Sequence, residues 1–461
     1  MSPNCAACGS VRAFRVAREA YEKRRLVAEQ IAAKLRRAGY EALFAGGYVR
    51  DRLLGVEGTG DIDVATSAPP AVVQKLFRRT VDVGIQFGVV RVLEDGLDTE
   101  VATFRSDGAY PDHRHPAEVH FTDPRGDASR RDFTINGMFL DPETDEVLDF
   151  VGGRADLETG VIRAIGDPEA RFDEDRLRLL RAVRFAARFG FSIEPRTWES
   201  LVGHAGSIRQ IAWERIGDEI VKILREGRAR RGFELLAESG LLDAVLPEVS
   251  AMRGVAQSPE HHPEGDVLVH TLLCLEKIES ERHDEALALA VLLHDVAKPM
   301  TASRGDDGRI RFYGHCEQGG AMAREIVRRL RRSRETGERV AWLIENHLRH
   351  IEAPRMRVAT LKRFLGEPDI ESLLELVRID ASSASGDLAP WRFCVDRRAE
   401  LSCEEIRPAP LLRGRDLLEL GYSPGPSFRA LLDEALDAQL EGVFASREDA
   451  RAWVVRNHPP T

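Results

Sequence analysis

The hydrophobic pattern of this 461-residue chain changes character once, near residue 155. Between 42 and 150, short β-rich runs succeed one another at 42–45, 61–66, 89–93, 99–105, 118–121 and 147–151. Gly, Pro and Asp punctuate them, as a twisted sheet with short connections requires. Upstream, Val16, Ala20, Leu26, Ile31 and Leu35 give residues 13–38 the spacing of a helix. Downstream the β signals stop. Helical patterns run over 173–189, 213–226, 228–240, 267–281, 284–297, 317–332, 338–350, 371–381 and 426–439. The pattern predicts an α+β chain, a small mixed-sheet head followed by a mostly α-helical body. The expected parts are an N-terminal helix (1–40), the head (41–155), a helical neck and body (156–250), a second helical domain (260–385) and a helical tail (400–461). The stretches 246–264 and 382–412 are the boundary candidates.

Within the head, Gly46-Gly47-Tyr48-Val49-Arg50-Asp51 follows a strand and opens a helix. Two glycines let backbone approach a phosphate, and a helix N-terminus favours an anion. Asp61-Ile62-Asp63-Val64-Ala65-Thr66 then alternates as a strand, which puts Asp61 and Asp63 on one face. Paired carboxylates repel unless solvated or bridged by a cation. They suit Mg²⁺, which takes oxygen ligands and bridges to substrate phosphates. Glu100, on the later strand, offers a third carboxylate. A lone Asp-x-Asp is an ordinary acidic strand edge; the glycine turn just upstream is what raises its value.

These blocks resemble the head of class II tRNA nucleotidyltransferases and bacterial poly(A) polymerases. The match continues at Glu100–Arg105, at Arg130-Arg131-Asp132-Phe133-Thr134-Ile135-Asn136 and at Asp149-Phe150-Val151-Gly152-Gly153, in the family's order. The resemblance implies a polymerase-β-like nucleotidyltransferase head. It makes Asp61 and Asp63 the metal-binding carboxylates, with Glu100 beside them in the catalytic set. Gly46, Gly47, Arg50 and Arg131 become contacts of the incoming nucleotide.

In the body, the segment from Phe172 to Phe185 reads as a helix that opens with acids. Asp175, Arg178, Arg181 and Arg184 recur every three residues and so share a face. Three arginines with one facing acid leave excess positive charge suited to a triphosphate. A carboxylate only accepts hydrogen bonds and a guanidinium only donates. Cytosine and adenine both present an amino donor beside a ring-nitrogen acceptor; uracil and guanine present a carbonyl beside an N–H. An Asp175–Arg178 template would therefore take CTP and ATP and reject UTP and GTP. The resembled family has Glu174-Asp175-x-x-Arg178 as its base-reading block, and Glu214-Arg215-Ile216-x-x-Glu219 matches another of its blocks, read as a helical brace.

Residues 261–380 carry His262, His270, His294, His315 and His347. Together with Asp295 and Asp380 they suit a divalent transition metal. His270-Thr271 and Leu292-Leu293-His294-Asp295-Val296-Ala297-Lys298-Pro299 resemble the HD phosphohydrolase superfamily. The implied metal set is His270, His294, Asp295 and Asp380, with Asp369 and Asp387 near the last. Lys298 would meet a phosphate, and His315 and His347 would serve a second metal or the substrate. The end of the chain, at Leu411–Leu417 and Gly421–Pro426, resembles the tail of bacterial tRNA nucleotidyltransferases.

The expected activity is addition of CMP and AMP to tRNA 3′ ends, joined to an HD hydrolase. Poly(A) polymerase and CC-only or A-only addition stay open, as does an RNA-binding protein active only through its HD domain. Residues 105–121, with Tyr110-Pro111-Asp112-His113-Arg114, look like the flexible loop of full CCA adders. The net charge of −10 argues against binding nucleic acid by bulk positive charge. The arginines instead concentrate at Arg130–Arg131, 176–188 and 324–334, so basic surface is expected to be local. No run of about 18 apolar residues appears, so no membrane span is expected, and no apolar secretory run opens the chain, which points to the cytoplasm. Cys5, Cys8, Cys274, Cys316, Cys394 and Cys403 are expected to be free thiols. The oligomeric state is open.

Overall fold

The computed structural model describes residues 6–56, 61–82, 84–108, 110, 117–279 and 283–460, and for 6–17 and 403–404 the backbone alone. Cys5 and most of the loop motif after Tyr110 lie outside the described residues. Two compact units form: Met1–Ile223 with Arg231–Val245, and Leu224–Arg230 with Leu246–Thr461.

The first unit holds a 7-stranded sheet. Its strands are β1 (Ala42–Ala45), β2 (Asp63–Thr66), β3 (Thr80–Asp82), β4 (Val89–Glu94), β5 (Leu97–Thr103), β6 (Met138–Leu140) and β7 (Val147–Asp149). The order is β3-β4-β5-β2-β1-β6-β7, with β2 parallel to β5 and every other neighbour antiparallel. On one face, α1 (Ala6–Arg37) packs Val27, Ala28, Ile31, Ala32 and Leu35 against β1 and β2. That three-and-four spacing makes one apolar stripe. On the other face, Leu43, Ala45, Ala65, Phe104, Ala128 and Phe139 form the core, with Phe104 and Phe139 edge to face at 5.9 Å. Strand β6 gave no sequence signal. It is three residues long and buried throughout, so it carries no polar alternation.

Two sequence expectations change. First, β structure does not end at 155: Val161–Ile162 pairs in parallel with Ser192–Ile193, and Ala302–Arg304 pairs antiparallel with Ile310–Phe312. These ladders are too short to register as alternation. Second, the helix expected over 173–189 is two helices. After α2 (Gly47–Leu53), α3 spans Pro168–Glu174 and α4 Leu177–Phe189. Between them Asp175 is extended at φ −143°, ψ 103°. Its carboxylate accepts the Leu177 N–H at 3.1 Å, a side-chain bond that competes with helix continuation. Leu179, Leu180, Val183 and Ala186 still face the core. The next long helix, α5 (Trp213–Arg225), carries Arg215 and Glu219.

In the second unit, α6 (Val267–Leu275), α7 (Glu285–Leu293), α8 (His315–Arg329), α9 (Arg334–Asn346) and α10 (Ile370–Ser383) build a helical domain. Helix α7 is apolar on every side, and each residue from Ala286 to Leu293 is buried among α6, α9 and α10. Asp266, Asp284 and Ser333 cap α6, α7 and α9 through bonds from the N–H groups of Val269, Leu287 and Thr336. The tail packs Leu412, Leu417, Ala435, Ala438, Ala450 and Val454 into its own small core. The arginine run at 324–334 is not free basic surface: Arg324, Arg328, Arg329 and Arg332 pair with Glu345, Glu325, Glu248 and Glu285. No helix among the described residues is long and apolar enough to cross a membrane.

Phe139→Ala should destabilise the first unit by about 3–5 kcal/mol, the cost of emptying a buried aromatic site. Urea unfolding followed by tryptophan fluorescence checks this, and a loss under about 1 kcal/mol would show that the sheet does not rest on this face.

Candidate active sites

Gly46 sits at φ +66°, and a Cβ there would lie 2.9 Å from Arg131 Nη1. The glycine is therefore needed both for its conformation and for the approach of the arginine. It turns the chain from β1 into α2, so that Gly47 and Arg50 face a cavity of 460 Å³. Asp63, at the head of β2, lines the same cavity, as do Arg131, Asp175, Arg178, Arg181 and Arg184. Asp61 is exposed, Asp63 half-buried and Ile62 between them buried, so the alternation expected for 61–66 extends beyond the paired strand. The parallel register sets Val64 opposite Val101, which brings Glu100 alongside Asp63. Burial, then Glu100 and Asp61, push the Asp63 carboxyl up to about 7, although Arg131 pulls it down. A carboxylate crowded by acids in this way is one that a divalent cation would favour.

The arginines are held rather than loose. Arg50, 4% exposed, lies over the rings of Phe185 and Phe189 at 5.1 and 4.8 Å, and donates to Asp51 at 2.8 Å and to Asn136 at 2.5 Å. Arg131 donates to Asp127 at 2.9 Å and to the Asn136 carbonyl at 3.3 Å. Arg181 donates to Asp132 from both Nε and Nη2, at 2.8 and 2.6 Å. Arg184 pairs with the buried Glu219 at 2.7 Å. The excess positive charge expected from α4 alone is therefore reduced, because Asp132 and Glu219 arrive from other segments. Burial disfavours the Asp132 carboxylate, yet Arg181 and the Asn136 amide hold it well below the usual range.

Asp175 and Arg178 share the cavity, but each is hydrogen-bonded to other groups. Arg215 donates to both oxygens of Asp175, at 3.1 and 2.8 Å. Arg178 donates to Glu174 at 2.6 Å and to the carbonyls of Arg171 and Arg130 at 2.8 and 3.2 Å. Asp175 and Arg178 are each fixed by their own partners, and α5 supplies the brace to Asp175. The sequence marked the Arg215 block without its contact. The block Asp149–Gly153 is a turn: Asp149 accepts the N–H groups of Val151, Gly152, Gly153 and Arg154 at 2.9–3.1 Å. Of the expected flexible loop, Arg105–Asp107 and Val119–Phe121 form an antiparallel ladder, and Tyr110 donates to Asp107.

In the second unit His270, His294, Asp295 and Asp380 converge. His270 Nε2 lies 3.0 Å from Asp380 Oδ1 and 3.4 Å from His294 Nε2, and His294 Nε2 lies 3.3 Å from Asp295 Oδ2. Asp380 is the acid brought to the cluster; Asp369 instead accepts from Arg339 at 2.6 Å, and Asp387 is exposed. His315 Nε2 stands 3.8 Å from Asp295, and the His347 ring lies 5.4 Å from that of His315. The Nδ1 atoms of His294, His315 and His347 lie 2.9, 2.7 and 2.6 Å from the carbonyls of Val291, Phe312 and Ile344. An Nδ1–H bonded to carbonyl leaves each Nε2 lone pair as a ligand. Burial and His294 hold His347 down to about 4, so it stays neutral. Burial opposes the His294 imidazolium, but Asp295 and Asp380 push it up to about 9. The acids thus favour positive charge where the rings meet, and a divalent cation fits that demand. Lys298 is 2.7 Å from Asp295 and lines a 700 Å³ cavity with His315, His347 and Asp380. Sequence reading missed Glu264, which lies 2.7 Å from His270 Nδ1, and Cys274, one helical turn beyond His270.

Residues 42–163 match the poly A polymerase head domain family, 190–252 a probable RNA- and SrmB-binding site of polymerase A, and 266–384 the HD domain family. The CCA-adding enzyme of Levilactobacillus brevis is 44% identical over 216 residues, 47% of this chain and 54% of the relative. That of Leuconostoc mesenteroides is 46% identical over 209 residues, 45% and 52% of the two chains. The matched part of the chain thus spans about half the length of these curated relatives. The CCA-adding enzyme of Lactobacillus johnsonii is 32% identical over 429 residues, covering 92% of this chain and 96% of the relative. The crystal structure of the Bacillus stearothermophilus CCA-adding enzyme in complex with CTP aligns with a TM-score of 0.69 at 28% identity, over 93% of this chain and 96% of the other. With this head and a relative matched along nearly its whole length, the chain belongs to the CCA-adding enzyme family.

Proposed function

We propose that the chain transfers CMP and AMP from CTP and ATP to the 3′ end of tRNA with release of pyrophosphate, and that its HD domain hydrolyses a phosphate ester. The observation that carries the first reading is one cavity. It holds Asp63 together with Asp175 and Arg178, so that reacting phosphate and read base belong to one nucleotide. The names of similar proteins support the substrates: a CCA-adding enzyme bound to CTP, and others bound to ATP and to tRNA, the last two alike in fold alone.

Asp175 accepts from the amino group of cytosine or adenine, and Arg178 donates to the adjacent ring nitrogen. Uracil and guanine reverse that order and would face a carboxylate with a carbonyl. Arg215 and Glu174 hold the two groups in place, which limits the reorganisation needed on binding. Arg181 and Arg184, which line the same cavity, would meet the triphosphate. Asp61 and Asp63 would hold Mg²⁺, with Glu100 alongside. When bound, Mg²⁺ supplies charge neutralisation on the triphosphate and a lowered pKa for the attacking 3′-hydroxyl. In the HD domain, His270, His294, Asp295 and Asp380 would hold a divalent transition metal that acidifies water for attack on phosphorus. Lys298, His315 and His347 face the ester.

Purified protein with tRNA ending before C should incorporate CTP twice and then ATP once, read on sequencing gels. Absence of any addition in Mg²⁺ would defeat the reading, and repeated AMP addition would replace it with poly(A) synthesis. Arg215→Ala should lower discrimination against UTP by roughly ten- to a hundredfold, the worth of a charged hydrogen bond. Unchanged kcat/KM ratios would show that Asp175 needs no brace. Because the Asp63 pKa is raised to about 7, the metal-free fold gains stability from its protonated form. That gain is present at low pH and lost as pH rises through about 7. The Tm of metal-free protein should therefore fall across this range more than that of Asp63→Asn, and parallel curves would refute the assignment. His294→Ala with Asp295→Ala should abolish metal-dependent phosphoesterase activity and spare nucleotide addition; equal loss of both would make the HD domain a structural support.

A further inference from the structure

His270 Nε2 is crowded from three directions. Asp380 Oδ1 lies 3.0 Å away, His294 Nε2 3.4 Å and Cys274 Sγ 3.5 Å. One ring nitrogen carries at most one proton, so it can satisfy only one of these neighbours by hydrogen bonding. The ligand atoms of His270, Cys274, His294 and Asp380 all lie within 4.8 Å of one another. His270 and Cys274 are wholly buried, and His294 is 1% exposed.

The spacing fits ligands that share one metal ion. With metal–nitrogen bonds of about 2.0–2.1 Å and a metal–sulfur bond of about 2.3 Å, tetrahedral ligands stand roughly 3.4 Å apart for two nitrogens and roughly 3.6 Å for nitrogen and sulfur. The observed 3.4 and 3.5 Å are close to these values. The placement follows from the sequence. Cys274 comes four residues after His270 on α6, one turn along the same face. Buried cysteines commonly serve as small apolar packing groups, but such a role does not need the sulfur beside the ring nitrogen that faces the other ligands.

The geometry points to Cys274 as a metal ligand of the HD domain, which gives this centre a thiolate beside His270, His294, Asp295 and Asp380. The inference rests on reading the cluster as a metal site, and it adds the metal's character. A thiolate favours Zn²⁺, Co²⁺ or Fe²⁺ over Mg²⁺. Binding releases the Cys274 proton to solvent.

The test uses the full chain with Cys5→Ser and Cys8→Ser, which removes the Cys-x-x-Cys pair as a competing thiolate site. Loading with Co²⁺ should produce a thiolate-to-cobalt charge-transfer band in the near ultraviolet. The band should vanish on Cys274→Ser and persist on Cys316→Ser and Cys394→Ser. X-ray absorption of the Zn²⁺-loaded protein, with Cys274 intact, should show a sulfur scatterer at about 2.3 Å, and this measurement stands even if Cys274→Ser does not fold. A band that survives Cys274→Ser, or a zinc shell of nitrogen and oxygen alone, overturns the proposal. Cobalt bound through His294 without the band overturns the thiolate while leaving the metal site. No metal bound at His294 overturns both.

Discussion

Buried charge that is paired at a distance in sequence is the constraint on which the head depends. Asp132 accepts from Arg181, Glu219 from Arg184, Asp127 from Arg131, and Asp175 from Arg215. Each pair joins segments that the chain keeps apart, except Asp127 with Arg131. A buried pair such as Arg184–Glu219 gains little net stability over an apolar contact, but losing one partner strands the other at a cost of about 3–5 kcal/mol. The network is therefore better read as a positioning device. It fixes the guanidinium groups around the cavity, with Arg50 further held over the rings of Phe185 and Phe189.

The same logic runs with opposite sign at Asp63. There the chain leaves carboxylates close together with no guanidinium in full compensation. In the HD cluster, acids and ring nitrogens converge in a way that hydrogen bonds cannot wholly satisfy. Both places are locally unfavourable without a cation. Both are built on rigid elements, a strand end in one case and helices packed around the wholly apolar α7 in the other. Strain of this kind is affordable only where the surrounding core is well packed.

The architecture was legible because its signals are local. The period of two in the strands, the helical stripe of α1 and the apolar α7 each sit within a dozen residues. Strand β6 was not legible, since three fully buried residues show no period. The break at Asp175 was hidden for another reason: the acids that open a helix and the acid that interrupts one look alike in sequence, and the distinction lies in a side-chain bond to Leu177. Candidate residues such as Asp61, Asp63, His294 and Asp295 could be named because their neighbours in sequence are also their neighbours in space. Arg215 was read as part of a helical brace but without its partner, which lies 40 residues away, and Glu264 was not singled out, because it reaches His270 through a loop.

Sequence by itself determined which residue types were available and in what order: a glycine turn, paired acids, an arginine-rich helix, an HD dipeptide and a cysteine one turn from a histidine. Tertiary structure alone decided which charges meet. It gave Arg181 and Arg184 acids from outside their own helix, braced Asp175 through Arg215, and chose Asp380 over Asp369 and Asp387. The physical reason is that electrostatic partnership depends on distances of 3–4 Å, and periodicity fixes such distances within an element but not between elements.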